Sequence, residues 1–142
     1  RIKMEASDFK RKTVSESTKA VSTKAKGDDA ETRALRHLQA HGLTLVQRNY
    51  RVARGPHARG GEVDLIVRDA DGTLVFVEVR ARETSNHGAA AETVTLRKRQ
   101  RIVWAARHYL MRLPSEPPCR FDVVALEGST LHWLQGAFDA GS

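Results

Sequence analysis

The segment Glu62-Val-Asp-Leu-Ile-Val-Arg-Asp-Ala-Asp-Gly-Thr-Leu-Val-Phe-Val-Glu-Val-Arg80 constrains the fold more than any other part of the chain. Two runs rich in Val, Leu, Ile and Phe flank Asp69-Ala-Asp-Gly72, so the segment reads as a β-hairpin. With Ala70, Asp71 and Gly72 as a three-residue turn and Gly72 left-handed, Asp69 pairs with Thr73. That turn sets the remaining pairs, placing Ile66 opposite Phe76, Asp64 opposite Glu78 and Glu62 opposite Arg80. Val63, Leu65 and Val67 then share the reverse face with Val75, Val77 and Val79. A wholly aliphatic face of this kind is expected in the core.

Side chains directly opposed across two strands have Cβ atoms about 5 Å apart, and like charges there are destabilising. Glu62 has Arg80 as an expected partner, whereas Asp64 and Glu78 have only each other. Either one is protonated or a cation sits between them. A hard metal suits such a pair, because Mg²⁺ takes one or two carboxylates and keeps positions for water and substrate phosphate. The competing arrangement is a register slipped by one residue, which sends the two acids to opposite faces.

Upstream, Gly27-Asp28-Asp29 precedes a helical pattern over about residues 29–41, with Asp28 or Asp29 as cap and Gly42 as terminator. Ala34, Leu35 and Leu38 form its inward stripe, and Glu31 lies on the same face, where it also suits the positive end of the helix. A strand follows over 43–52, then the basic loop Arg54-Gly-Pro-His-Ala-Arg-Gly-Gly61, whose Arg54 and Arg59 could meet phosphates or simply face solvent. Downstream of the hairpin, a polar loop over 81–92 leads to a helix over about 95–113. Thr93 or Thr95 is its cap, and Leu96, Val103, Ala106 and Leu110 are its expected stripe. Arg97, Lys98, Arg99, Arg101, Arg107 and Arg112 cover much of the rest with no intervening acids, a pattern that favours polyanion contact. Strands over 120–126 and 131–134, joined by a turn at 127–130, complete the order. The expected fold is α/β, a mixed β-sheet flanked by helices in one small domain.

The formal charge of +7 is unevenly spread. Residues 1–26 hold eight basic and three acidic groups, leaving 16 and 14 for the rest. Six of the seven lysines lie in that first stretch, and beyond it arginine is used 15 times against one lysine, Lys98. Residues 1–27 therefore read as a polar, Lys-rich extension and 28–142 as the domain. The basic balance suggests nucleic acid as partner, but the extension carries most of it. One cysteine, Cys119, excludes an internal disulfide and a cysteine-rich zinc site, and agrees with a reducing, cytoplasmic compartment. No secretory signal opens the chain and no apolar run approaches the ~20 residues that span a bilayer, so no membrane partner is expected.

Three other candidates carry less. His37 and His41 have the i, i+4 spacing of a zinc-binding pair, without a third ligand in view. Trp104 and Trp133 can stack on bases, but buried tryptophan is commoner. Cys119 has no neighbouring base to activate it.

Glu31, Gly61-Glu-Val-Asp-Leu-Ile66 and Val75-Phe-Val-Glu-Val-Arg-Ala-Arg82, in that order, together resemble the YraN-like family. Asn49-Tyr50-Arg51 and Arg120-Phe-Asp-Val-Val124 are similar to it as well. This is a bacterial group related to archaeal Holliday-junction resolvases and to the PD-(D/E)xK nuclease superfamily, and the resemblance covers about residues 28–138. It implies a restriction-endonuclease-like fold, with Asp64 and Glu78 as ligands of Mg²⁺ or Mn²⁺ and Glu31 close to the metal. It implies DNA as partner and admits a homodimer; the basic loop, the end of the hairpin and the basic helix offer Arg54, Arg59, Arg82, Arg97, Lys98 and Arg101 as candidate contacts. The sequence departs from the superfamily where the motif lysine, two residues after Glu78, is Arg80. Arginine stabilises charge developing on a phosphate but stays protonated and cannot act as a base. Lys98 is the body's one alternative lysine.

Two functions are therefore expected in competition. One is a metal-dependent endonuclease acting on DNA phosphodiesters, branched DNA included, through Glu31, Asp64, Glu78 and Arg80. The other is a nucleic-acid-binding module on a nuclease fold with little or no catalysis.

Overall fold

The computed structural model describes residues 23–53, 60–82 and 94–140. Its elements are α1 (Thr23–Ala40), β1 (Thr44–Val52), β2 (Gly61–Arg68), β3 (Leu74–Arg82), α2 (Leu96–Met111), β4 (Cys119–Glu127) and β5 (Thr130–Phe138). The strands form one sheet in chain order. Neighbours are antiparallel except β3 and β4, which run parallel. A parallel pair cannot be closed by a tight turn, and here α2 lies on the crossover between its two strands. The result is a single α/β unit, a mixed sheet with a helix on each face.

Both faces of the central strands are buried, not only the aliphatic one. Leu65, Val67, Val75 and Val77 pack with Val124 and Leu126 against Ala30, Ala34, Leu35 and Leu38 of α1. Ile66, Leu74 and Phe76 pack with Phe121 and Val123 against Ile102, Ala105, Ala106 and Tyr109 of α2. A parallel strand beside the hairpin brings a crossover helix over the second face, so the face carrying Ile66 and Phe76 has no exposure to water. Full burial of side chains such as Phe76 and Ile66, both at 0% exposure, stabilises the fold by about 1.5–3 kcal/mol each. Val63 departs from the expected alternation and joins the α2 side with its partner Tyr50. Asn49 lies between the pairs Arg48↔Leu65 and Tyr50↔Val63 with φ +52. A left-handed residue, tolerated by asparagine, breaks the strict alternation of β1 at that point.

Helix α1 (Thr23–Ala40) extends upstream of the expected start near residue 29. Lys24, Ala25 and Lys26 are good helix formers, and Gly27 costs about 1 kcal/mol without ending the helix. In α2, Leu96 is 56% exposed. The buried stripe is Ile102, Ala105/Ala106 and Tyr109, because Leu96 belongs to the first turn, beyond the part that lies on the sheet. Strand β5 continues past residue 134 by bulging around the buried Asp122. Its pairing shifts between Phe121 and Val123, Gly136 takes φ +62, and Gly136 N donates to Asp122 Oδ1 at 2.9 Å. Arg120 Nε and Trp133 Nε1 donate to the same carboxylate at 3.0 and 2.9 Å, so Trp133 is held as a structural residue.

Candidate active site

The hairpin turn is built as its residues require. Asp69 N donates to Thr73 O at 2.9 Å, Gly72 N to Asp69 O at 3.0 Å, and Gly72 takes φ +94. Asp71 Oδ1 accepts from Thr73 N at 2.9 Å, which holds its carboxyl below the usual carboxylate range. From this turn the paired register runs Arg68↔Leu74, Val67↔Val75, Ile66↔Phe76 and Leu65↔Val77, then stops. One residue further, Asp64 Oδ2 accepts the Val79 N–H at 2.8 Å. The aspartate carboxylate thus takes the place of a backbone acceptor where the strands part. Glu78 instead continues in register with Val123 of β4.

Asp64 and Glu78 come within hydrogen-bond reach of each other. Glu78 is 4% exposed, and burial first, then the Asp64 charge, pushes its carboxyl up to about 8. Burial also raises Asp64, against the lowering effect of the Val79 N–H. Lys98 and, more weakly, Arg80 favour the charged form of Glu78. Glu78 Oε1 is buried with no hydrogen-bond partner. Two carboxylates that share a low-dielectric niche, with one oxygen unsatisfied, form a site of stored electrostatic cost.

The cation facing them comes from α2. Thr95 caps this helix, its Oγ1 accepting from Lys98 N at 3.1 Å. From that first turn Lys98 Nζ reaches to 3.3 Å from Glu62 Oε2 and 3.8 Å from Glu78 Oε2. Glu62 Oε1 in turn lies 3.6 Å from Arg51 Nε, the residue directly across the β1–β2 ladder. The expected ladder pair Glu62/Arg80 does not form, because β2 and β3 have already separated; Glu62 is held by Arg51 and Lys98. Sequence reading missed Arg51 and the part Glu62 plays. The available signal was that Glu62 and Asp64, two apart on one strand, share a face.

The remaining candidates are dispersed. Glu31 lies on α1, over the opposite face of the sheet from α2, and pairs with Arg48 at 3.5 Å. Arg80 lies beside Glu78 on β3, and Arg82 is in register with Glu127 at the end of that strand. Arg97 is exposed on the first turn of α2, while Arg101 Nε donates to Gly60 O at 3.3 Å. Arg54 and Arg59 lie outside the described residues. His37 and His41 pack ring against ring at 4.4 Å and edge-on to Trp133. Trp104 meets His108 edge-on, and burial raises the Cys119 thiol, which makes it a poor nucleophile.

Among the described residues, no group of three or more His, Cys, Asp or Glu side chains that could hold a metal is found. The pair itself fits a hard cation. Both donors are carboxylate oxygens, one of them without a partner, and Mg²⁺ commonly takes two carboxylates and fills its other positions with water and phosphate. Among the described residues, no helix is long and apolar enough to cross a membrane.

A family model described as "Uncharacterised protein family UPF0102" matches residues 30–126, a span that holds Glu31, Asp64, Glu78, Arg80 and Lys98. A UPF0102 protein of Methylibium petroleiphilum is 67% identical over 120 residues, covering 84% of this chain and 98% of the relative. A UPF0102 protein of Paracidovorax citrulli is 60% identical over 119 residues, 84% of this chain and 86% of the relative. One from an Acidovorax species is 55% identical over 132 residues, 93% and 98%.

Proposed function

The chain belongs to the UPF0102 (YraN) family, which is related to restriction-endonuclease-like nucleases, and on that premise we propose that it is a Mg²⁺- or Mn²⁺-dependent endonuclease acting on DNA phosphodiesters, branched DNA included. One observation carries the reading: the buried Glu78 carboxyl lies within hydrogen-bond reach of the half-buried Asp64, with the Lys98 ammonium 3.8 Å from Glu78 Oε2. Asp64 and Glu78 would hold the cation. When bound, it neutralises charge on a phosphate and lowers the pKa of a bound water.

The chain's own residues supply the rest. Lys98 presents a compact positive charge beside the carboxylates, where a phosphoryl oxygen would gain charge, and the half-buried setting strengthens that interaction over water. Arg80 donates to phosphate oxygens without taking a proton. Arg97, exposed on the same helix turn as Lys98, extends the positive surface for the backbone of a nucleic acid. The rival reading, a binding module without catalysis, rests on Arg80 standing where the motif lysine would be. The position of Lys98 weakens that objection, because it returns an ammonium to the same carboxylates from another element.

The test is cleavage of branched and linear DNA in Mg²⁺ and in Mn²⁺. The reading expects metal-dependent product that disappears in Asp64→Asn and Glu78→Gln. Cleavage that survives either substitution belongs to a contaminant. Salt-sensitive DNA binding with no cleavage in either metal favours the binding module.

A further inference from the structure

The Gly61-Glu-Val-Asp64 stretch does more than contribute one carboxylate. Gly61 opens β2 directly beneath α2. A Cβ there would overlap the Arg101 carbonyl oxygen and lie 2.8 Å from Ala105 N and 3.0 Å from Trp104 Cδ1. Two of these neighbours are helix backbone, which cannot move aside without displacing the whole element. The helix therefore rests on the glycine, one turn after Lys98. The next residue, Glu62, takes the Lys98 ammonium at 3.3 Å and is itself paired across the ladder with Arg51. Two residues on, Asp64 joins Glu78.

We infer that Gly61 and Glu62 are positioning residues for Lys98: Gly61 seats α2 on β2, and Glu62, braced by Arg51, aims the ammonium at the Asp64–Glu78 pair. Lysine makes this arrangement necessary. Its charge sits on a flexible four-carbon stem with no geometric preference of its own, so a direction must be imposed from outside. A strand-borne lysine two residues after Glu78 would receive that direction from the sheet. A helix-borne lysine needs a fixed helix and a second anion, and Gly61 and Glu62 supply one each. The chain thus delivers its site lysine from the crossover helix. The inference rests on the proposed nuclease reading only for the use made of Lys98.

The chain itself provides the test. Lys98 is the one lysine in residues 27–142, and the six lysines of residues 1–26 serve as internal references. The full chain, free of metal, is treated with an acetylating N-hydroxysuccinimide ester, and the acetylation rate of each lysine is read by mass spectrometry of peptides. Glu62→Gln is expected to raise the Lys98 rate about fivefold relative to the reference lysines, the scale of a half-buried ion pair lost. Glu62→Asp, which keeps the charge and withdraws it by one methylene, is expected to fall between the two. Gly61→Ala raises the rate by displacing the helix, while Glu116→Gln leaves it unchanged. Equal Lys98 rates in wild type and in both Glu62 variants overturn the inference, and the Asp variant decides if the Gln variant does not fold. In protein that cleaves DNA, Glu62→Gln lowers kcat with KM within about twofold, because it misdirects a charge and removes no substrate contact. If the wild type cleaves nothing, the nuclease reading fails, and the acetylation rates still decide the positioning inference.

Discussion

The Asp64–Glu78 pair makes the stability of the metal-free protein depend on pH in a direction opposite to that of a salt-bridged carboxylate. Glu78 moves from an ordinary 4.5 to about 8, chiefly through burial and then through the Asp64 charge. Between those values the folded chain keeps a proton that the unfolded chain has released. Stability is therefore full below about 4.5 and is lost as pH rises through about 8. The gap corresponds to about 5 kcal/mol, at roughly 1.4 kcal/mol per tenfold change in proton affinity. The native structure relaxes and admits water as the pair ionises, so about 2–3 kcal/mol is the expected loss. Urea unfolding of wild type and Glu78→Gln in a chelator, from pH 4 to 9.5, measures it. The two proteins should agree within about 1 kcal/mol at pH 4. At pH 9 the variant should be the more stable by about 2–3 kcal/mol. Millimolar Mg²⁺ should restore wild type at pH 9 and leave the variant unmoved. Parallel stability curves for the two proteins would refute the assignment of a repelling buried pair.

Two further outcomes follow from residues away from the pair. Asp122→Ala leaves Arg120 with Asp69 as its remaining acid and frees Trp133 Nε1 and Gly136 N, so unfolding free energy should fall by about 1–3 kcal/mol, with a shift in tryptophan fluorescence of the folded state. Thr95→Ala removes the cap of α2 and should cost about 1 kcal/mol in urea, with hydrogen-exchange protection lost first at the Lys98 N–H that Thr95 accepts.

The hairpin was legible because its information is local. Asp69-Ala-Asp-Gly72 favours one turn, that turn sets the register found from Arg68↔Leu74 to Leu65↔Val77, and Asp64 and Glu78 lie one residue past the point where the pairing stops. A threonine cap for α2 was legible for the same reason, and of the two candidates, Thr93 and Thr95, the structure assigns Thr95. What escaped depends on contacts between elements. Burial of Ile66 and Phe76 follows from the crossover helix, and only the unbroken apolar runs Leu65-Ile-Val67 and Leu74-Val-Phe-Val77 hint at it. Leu96 has a good helical spacing and lies in the water because only the later turns of α2 rest on the sheet. The pairing of Glu31 with Arg48 also went unseen, because it joins a helix to a strand. The attachment of Lys98 to Glu62 was hidden because the two are 36 residues apart and meet only through the close approach at Gly61.

The parallel pairing of β3 and β4 also sets an order of assembly. Each of its residue pairs, from Leu74↔Cys119 to Arg82↔Glu127, joins positions 45 apart in the chain. The hairpin that gathers the two carboxylates closes through a turn of a few residues and forms on a microsecond scale, whereas a loop of that larger size carries a greater entropic cost and closes more slowly. A refolding chain is therefore expected to form the hairpin before it has a sheet and helix to bury the two acids, and before its lysine has anywhere to dock. Until the crossover closes, the carboxylates sit in water with ordinary acidity and weak attraction for a cation. The demanding chemistry of the pair is thus a property of the finished topology, and an unfinished chain cannot express it.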